Sequence, residues 1–159
     1  MIPARGGSKR LPRKNAMPFA GGDSLTVRTI HKAIESGCFS RVLLSTDDLQ
    51  IAADGRAAGA LVPFIRPADL SGDQASSVDV LLHAVAELAK LFAEEKPAAV
   101  ALLQVTSPLL SASQIAAAVE TFVDGGFNSL SSMVAVEQYP EWMLNPPSTK
   151  VSTAAAICD

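Results

Sequence analysis

The chain has 159 residues, of which 48% are hydrophobic, so it is long enough to bury a core and short enough that one domain is expected. Its 13 basic and 16 acidic residues give a net charge of −3, which supplies no general attraction to nucleic acid or to an anionic membrane. Cys38 and Cys158 match neither a metal spacing nor a disulfide framework, and no apolar run reaches the roughly 20 residues of a membrane span, so a cytoplasmic protein is expected.

Short β-rich runs alternate with amphipathic stretches along the chain. In chain order the pattern predicts a helix at 24–36, a strand at 41–45, a helix at 48–58, a strand at 61–65, a helix at 77–95, a strand at 98–104, a helix at 113–123 and a strand at 129–136. Glycines after the second and fourth helices are expected to close them. The alternation predicts βαβ units, and hence an α/β three-layer domain with a mostly parallel, Rossmann-like twisted sheet.

Both ends of the chain are expected to be cut within this single domain of residues 1–159. Only residues 1–4 precede a glycine-rich loop, whereas a complete first strand has about five residues. Residues 151–159 begin an apolar run that has no terminating element, and an edge strand ending there would leave backbone groups unpaired.

The most informative segment is residues 2–15, IPARGGSKRLPRKN, where an acidic protein concentrates its cations. The cations surround two glycines and a serine: Arg5, Lys9, Arg10, Arg13 and Lys14 around Gly6, Gly7 and Ser8. Adjacent glycines let successive amide N–H groups point into one concavity, where they can bind phosphate oxygens that the cations neutralise. The segment is neither G-x-x-x-x-G-K-S/T nor G-x-G-x-x-G, so it indicates neither a kinase-type NTPase nor a dinucleotide reader. A solvated basic surface loop is the alternative that composition leaves open.

The same segment resembles the signature loop of the CMP-sialic acid synthetases and their acylneuraminate cytidylyltransferase relatives. Further stretches are similar in the same order, namely RVLLSTDD (41–48), VPFIRPADL (62–70), DQASSVDVLLHAV (73–85) and LLQVTSPLL (102–110). The similarity covers roughly residues 1–144. It implies a nucleotide-diphospho-sugar transferase-like fold and the transfer of CMP from CTP to a 3-deoxy nonulosonic, sialic-type acid with release of pyrophosphate.

The resemblance also implies roles for individual residues. Arg5, Lys9 and Lys14 would be the catalytic cations that contact the triphosphate. The nucleotide site would comprise Ala4, Arg5, Gly6, Ser8, Lys9, Asn15, Arg66 and Ser77. The sugar acid would contact Gln104, and this substrate site would include Thr106 and Ser107, where the strand at 98–104 emerges into a loop. Ligands of open α/β sheets bind outside such strand ends.

Simpler roles compete with some of these assignments. The alternative for Arg66 is a surface salt bridge, the alternative for Gln104 is a buried amide with satisfied hydrogen bonds, and either Ser76 or Ser77 would serve as an N-cap. Asp47 and Asp48 suggest a metal pair, but carboxylates between a strand and a helix are more simply explained as an N-cap and an anion at the helix dipole. No metal ligand is therefore assigned in the chain.

Two features depart from the family pattern. The family's Q-P-T-S-P-L-R is QVTSPLL here, so Val105 replaces a proline and Leu110 replaces an arginine. The resemblance implies Mg²⁺, yet the family's carboxylates lie in a D-x-D segment near the C-terminus, and nothing after residue 144 supplies one. A homodimer whose partner completes the sugar pocket is also implied, and no nucleic acid or membrane partner is expected.

Three alternatives stay open for the function. The same chemistry on a legionaminic or pseudaminic acid is hard to separate from sialic acid chemistry, whereas a synthetase for 3-deoxy-octulosonic acid typically carries a different first loop. A catalytically inactive fragment that still binds CTP belongs to a different class. A generic Rossmann-like domain for another phosphate ligand is the third.

Overall fold

The computed structural model describes residues 1–8, 11–93, 97–131 and 157–158. In these ranges it has four helices and five short strands: β1 (Ile2–Pro3), α1 (Leu25–Glu35), β2 (Leu44–Ser45), α2 (Leu49–Ala57), α3 (Ser77–Leu91), β3 (Val100–Ala101), α4 (Ala112–Gly125), β4 (Ser129–Leu130) and β5 (Ile157–Cys158). A single 3-10 turn, Ala68–Leu70, precedes α3.

The centre of the sheet is parallel. β1 pairs in parallel with β2, with Ile2 opposite Leu44. On the other side of β2, the amide of Leu44 donates to the carbonyl of Leu61 at 2.9 Å, and beyond β1 the amide of Leu103 donates to the carbonyl of Met1 at 2.9 Å. β5 pairs antiparallel with both β3 and β4. The prediction of an α/β domain with parallel βαβ units is confirmed.

The strands are shorter than predicted. Regular pairing extends over two residues in each, and the predicted strand at 61–65 contributes only an isolated bridge from Leu61 to Leu43. Pro63 lacks an amide hydrogen, so the ladder cannot continue through it. The predicted strand at 129–136 is described only as far as residue 131, and its first residues form β4.

Polar caps set the helix boundaries close to the predicted ones. Asp48 accepts hydrogen bonds from the amides of Gln50 and Ile51 and so caps α2. Ser111 and Gln114 form a capping box at α4, which ends at Gly126 in the left-handed conformation, with φ of 59°. The predicted closure of the fourth helix by glycine is therefore confirmed.

The core fixes the carboxyl ends of the strands, where the loops begin. Ile2, Leu44, Ile30 and Ile51 are almost fully buried between the sheet and helices α1 and α2. Burial of such side chains stabilises the domain by roughly 1.5–3 kcal/mol each. Within the described ranges, no helix is long and apolar enough to cross a membrane.

Candidate nucleotide-binding site

A cavity of about 360 Å³ opens where three loops leave the parallel part of the sheet. It is lined by residues of the loop after β1, of the loop after the 61–65 segment, of the start of α3 and of the loop after β3. These residues are Pro3, Arg5, Lys14, Asn15, Arg66, Leu70, Gly72, Asp73, Ala75, Ser77, Val80, Gln104, Val105 and Thr106.

This one cavity brings together seven of the residues that the resemblance assigned to the site: Arg5, Lys14, Asn15, Arg66, Ser77, Gln104 and Thr106. Ala4, Gly6 and Ser8 belong to the same loop but do not line the cavity, and Ser107 lines a much smaller neighbouring cavity that shares Gln104. Lys9, with Arg10, lies outside the described residues. The roles of all these residues stay predictions, but their proximity is now established for the seven.

Cations dominate the charge around the cavity. Arg5, Lys14 and Arg66 all line it, and the guanidinium of Arg5 lies 2.8 Å from a carboxylate oxygen of Asp73. Burial lowers the pKa of Arg66, the nearby Arg5 lowers it further, and the attraction of Asp47 acts in the opposite direction. A bound anion would offset both the burial of the Arg66 charge and its repulsion from Arg5, so the site is suited to phosphate groups.

Arg66 is 5% exposed, which excludes the surface salt bridge considered from the sequence. Its backbone amide donates to the carbonyl of Thr46, and its Nε donates to the hydroxyl of Ser71. One of its terminal nitrogens lies 3.6 Å from Asp47. The guanidinium is therefore held at the cavity wall by contacts on two sides.

Asn15 links the basic loop, as residues 2–15 are called from here on, to α1. Its side-chain amide nitrogen donates to the carbonyl of Arg5 at 2.9 Å, while its backbone carbonyl accepts from the hydroxyl of Thr26 at 2.8 Å. The residue is 6% exposed, and its Oδ1 has no hydrogen-bond partner among the described residues. A buried acceptor without a partner carries a desolvation cost of roughly 1–3 kcal/mol.

The serines at the start of α3 have separate functions. Ser76 is the N-cap, because its hydroxyl accepts from the amide of Asp79 at 3.0 Å. Ser77 is the first helical residue and lines the cavity. The capping alternative therefore applies to Ser76, and Ser77 faces the site.

The loop after β3 keeps a defined geometry despite both departures from the family pattern. Val105 is buried and Leu110 packs against the core, so both replacements contribute apolar contacts. The Nε of Arg28 in α1 donates to the carbonyl of Pro108 at 3.1 Å and ties the loop to that helix. Gln104 is exposed, which excludes the alternative of a buried, satisfied amide.

The sequence interpretation missed two acidic residues of the site. Asp48 does cap α2 as expected, but Asp47 does not: its Oδ1 accepts from the amide of Gly6 at 2.9 Å and faces Arg66. Asp73, which faces Arg5, was not singled out although it lies in one of the similar stretches. A carboxylate directly after a buried strand was the available signal for Asp47.

The described residues offer no cluster of side chains that would hold a magnesium ion without the nucleotide. They contain no group of three or more His, Cys, Asp or Glu side chains placed to bind a metal. Asp73, which lines the cavity, faces Arg5, and Asp47 faces Arg66. Magnesium stays an implication of the resemblance, and the chain's own cations are the charges that the site offers to phosphate.

Comparison with known proteins identifies relatives. A family model described as Cytidylyltransferase matches residues 1–156. The pseudaminic acid cytidylyltransferase of Campylobacter jejuni is 38% identical over 140 residues, which are 88% of this chain and 59% of the relative. The CMP-N,N'-diacetyllegionaminic acid synthase of Legionella pneumophila is 38% identical over 144 residues, 89% of this chain and 60% of the relative. The N-acylneuraminate cytidylyltransferase of Streptococcus agalactiae is 37% identical over 142 residues, 88% and 32% respectively.

Solved structures share the fold. A CMP:2-keto-3-deoxy-manno-octonic acid synthetase complexed with CTP superposes with a TM-score of 0.59 at 19% identity, over 81% of this chain and 48% of that one. A cytidylyltransferase from Leptospira borgpetersenii gives a TM-score of 0.56 at 24% identity, over 77% and 47%. These likenesses confirm the predicted α/β Rossmann-like architecture. The chain thus spans about half the length of the matched structures and at most 60% of the relatives named above.

Proposed function

Since the chain belongs to the cytidylyltransferase family, we propose that it forms the nucleotide-binding part of an enzyme that transfers CMP from CTP to a sialic-type nine-carbon sugar acid. One observation carries the proposal: three cations and four polar residues of the resemblance line a single cavity at the carboxyl ends of the parallel strands. The relatives' names divide among pseudaminic, legionaminic and N-acylneuraminic acids. Which of these acids is the substrate is therefore a question for the turnover experiment.

The proposed reaction is an in-line displacement at phosphorus. The anomeric hydroxyl of the acid attacks the α-phosphate of CTP, the bond between that phosphate and the β-phosphate breaks, pyrophosphate leaves, and the hydroxyl proton goes to water. The protein's part is to position the reactants and neutralise charge, for which no covalent nucleophile is needed. Arg5, Lys14 and Arg66 are the described residues placed to stabilise negative charge on the phosphates.

The nucleotide site is expected to prefer cytosine. Cytosine carries an exocyclic amino donor where uracil carries an acceptor, so a site that pairs with the donor leaves a buried group unmatched when UTP binds. We expect CTP to bind at least about tenfold more tightly than UTP or ATP, as one mismatched buried polar group produces. Calorimetric titration of the chain with the three nucleotides measures this. Equal affinities would favour a generic phosphate-binding domain.

Turnover tests the transfer reaction itself. Pyrophosphate release is measured with CTP, magnesium and each of N-acetylneuraminic, legionaminic and pseudaminic acids in turn. Release that depends on one acid identifies the substrate. CTP binding without release in any of the three would support the alternative of an inactive nucleotide-binding fragment.

Lys9 provides a prediction that comes from the resemblance of the loop alone, because the residue lies outside the described ranges. Replacing Lys9 by alanine should weaken CTP binding by about 2 kcal/mol through loss of a charge-assisted contact. Lys90→Ala is the matched control, since Lys90 is an exposed cation that pairs with Glu87 on α3. If both variants bind CTP as the unmodified chain does, Lys9 is not a phosphate ligand.

A further inference from the structure

Asp47 makes two contacts that join separate parts of the site. Its Oδ1 accepts the amide hydrogen of Gly6, in the basic loop 41 residues earlier in the sequence. The same oxygen lies 3.6 Å from the guanidinium of Arg66, which enters from the loop after the 61–65 segment. One carboxylate thus contacts both the loop that carries Arg5 and the buried guanidinium of Arg66.

The residues on both sides of Asp47 belong to, or border on, regular secondary structure. The preceding residues, Ser45 and Thr46, are fully buried, and Ser45 pairs with Pro3 in the parallel ladder. The following residue, Asp48, caps α2 through two amide hydrogen bonds. Asp47 is therefore held from both sides by secondary structure. Its carboxylate can in turn hold the Gly6 amide and the Arg66 guanidinium, which both belong to loops.

We propose that Asp47 is a positioning residue of the nucleotide site, which orients the Gly6 peptide and the Arg66 guanidinium toward the phosphates of CTP. The inference rests on the proposed function of the site. It assigns to a carboxylate a favourable part in binding an anion, although carboxylate and phosphate repel each other.

The three possible roles of Asp47 predict different effects of its removal on anion binding. If Asp47 were only a neighbouring negative charge, its removal would leave Arg66 less neutralised and would strengthen anion binding. If Asp47 contributed only to folding, its removal would lower the melting temperature but leave the affinity of the folded protein unchanged. Weaker anion binding by a folded variant is expected only when the carboxylate positions the groups that contact the ligand.

The experiment compares Asp47→Ala and Asp47→Asn with the unmodified chain, using CTP and inorganic triphosphate in calorimetry. Asp47→Ala removes both contacts and should weaken binding of both probes about tenfold, a typical effect of losing one charged hydrogen bond. Asp47→Asn keeps a carbonyl oxygen for the Gly6 amide, so its loss should be smaller. Asp54→Asn is the control: it makes the same change in net charge on α2, where Asp54 contacts Gln50 and does not line the cavity.

Thermal melts followed by circular dichroism establish that each variant is folded at the titration temperature. Unchanged or tighter binding of triphosphate by folded Asp47→Ala would overturn the inference while leaving the proposed function intact. An Asp47→Asn variant that binds as weakly as Asp47→Ala would overturn the part of the inference that concerns the Gly6 peptide. An unmodified chain that binds neither CTP nor triphosphate would overturn the proposed function, and with it this inference.

Discussion

Replacing Arg66 by alanine is expected to weaken CTP binding by at least about 30-fold, because removing a buried guanidinium that pairs with a charged phosphate costs roughly 2–5 kcal/mol. Two effects combine. The site loses a guanidinium that is 5% exposed and lies at the cavity wall beside Arg5. Asp47 then keeps its negative charge next to the phosphates without the cation that faces it. The attraction between Arg66 and the phosphates is thus replaced by repulsion between Asp47 and the phosphates.

The lysine variant separates charge from geometry. Arg66→Lys keeps a positive charge, but the ammonium group cannot reproduce the hydrogen bond from Nε to Ser71 together with the contact to Asp47. Its affinity for CTP should fall between those of the unmodified chain and Arg66→Ala. Calorimetry with CTP, on variants shown by circular dichroism to be folded, measures the series. An Arg66→Ala variant that binds CTP within threefold of the original would remove Arg66 from the site.

Features set by neighbours in sequence could be predicted. The four predicted helices each begin within one residue of the observed start, because their starts depend on local caps such as Asp48 and Ser111. The basic loop could be identified for a similar reason, since its glycines and cations lie within one continuous segment. The resemblance then brought Arg66 and Gln104 into the same site, and the structure places both at one cavity.

Features set by distant residues could not be predicted from the chain. Strand lengths depend on the neighbouring strand, and regular pairing extends over only two residues in each. The end of pairing near Pro63 is the exception, since that proline is a local signal that the apolar pattern of 61–65 outweighed in the prediction. The pairing of Asp47 with Gly6 and Arg66, and of Asp73 with Arg5, joins loops from different strand ends. Amino-acid type alone gave Asp47 and Asp48 the same interpretation, although only Asp48 caps the helix.

The tight approach of the basic loop to the residues after β2 leads to a second large expected effect, at Gly6. A Cβ atom added to Gly6 would lie 2.7 Å from the carboxylate Oδ2 of Asp48 and 2.9 Å from its Cβ. Asp48 cannot move aside freely, because its other carboxylate oxygen caps α2. The loop must therefore shift away, and the hydrogen bond from the Gly6 amide to Asp47 lengthens or breaks.

Gly6→Ala should accordingly reduce CTP affinity or turnover about 100-fold, the scale of loss that a displacement of about 1 Å produces at a reacting centre. Gly7→Ala is the matched comparison, since a Cβ there meets nothing within 4 Å and the change is of the same size one residue away. Its effect should be much smaller, because the added methyl displaces no backbone. The two variants are compared by CTP titration and by pyrophosphate release. Equal losses in both would show that loop flexibility, rather than the contact with Asp47 and Asp48, determines how the loop binds phosphate.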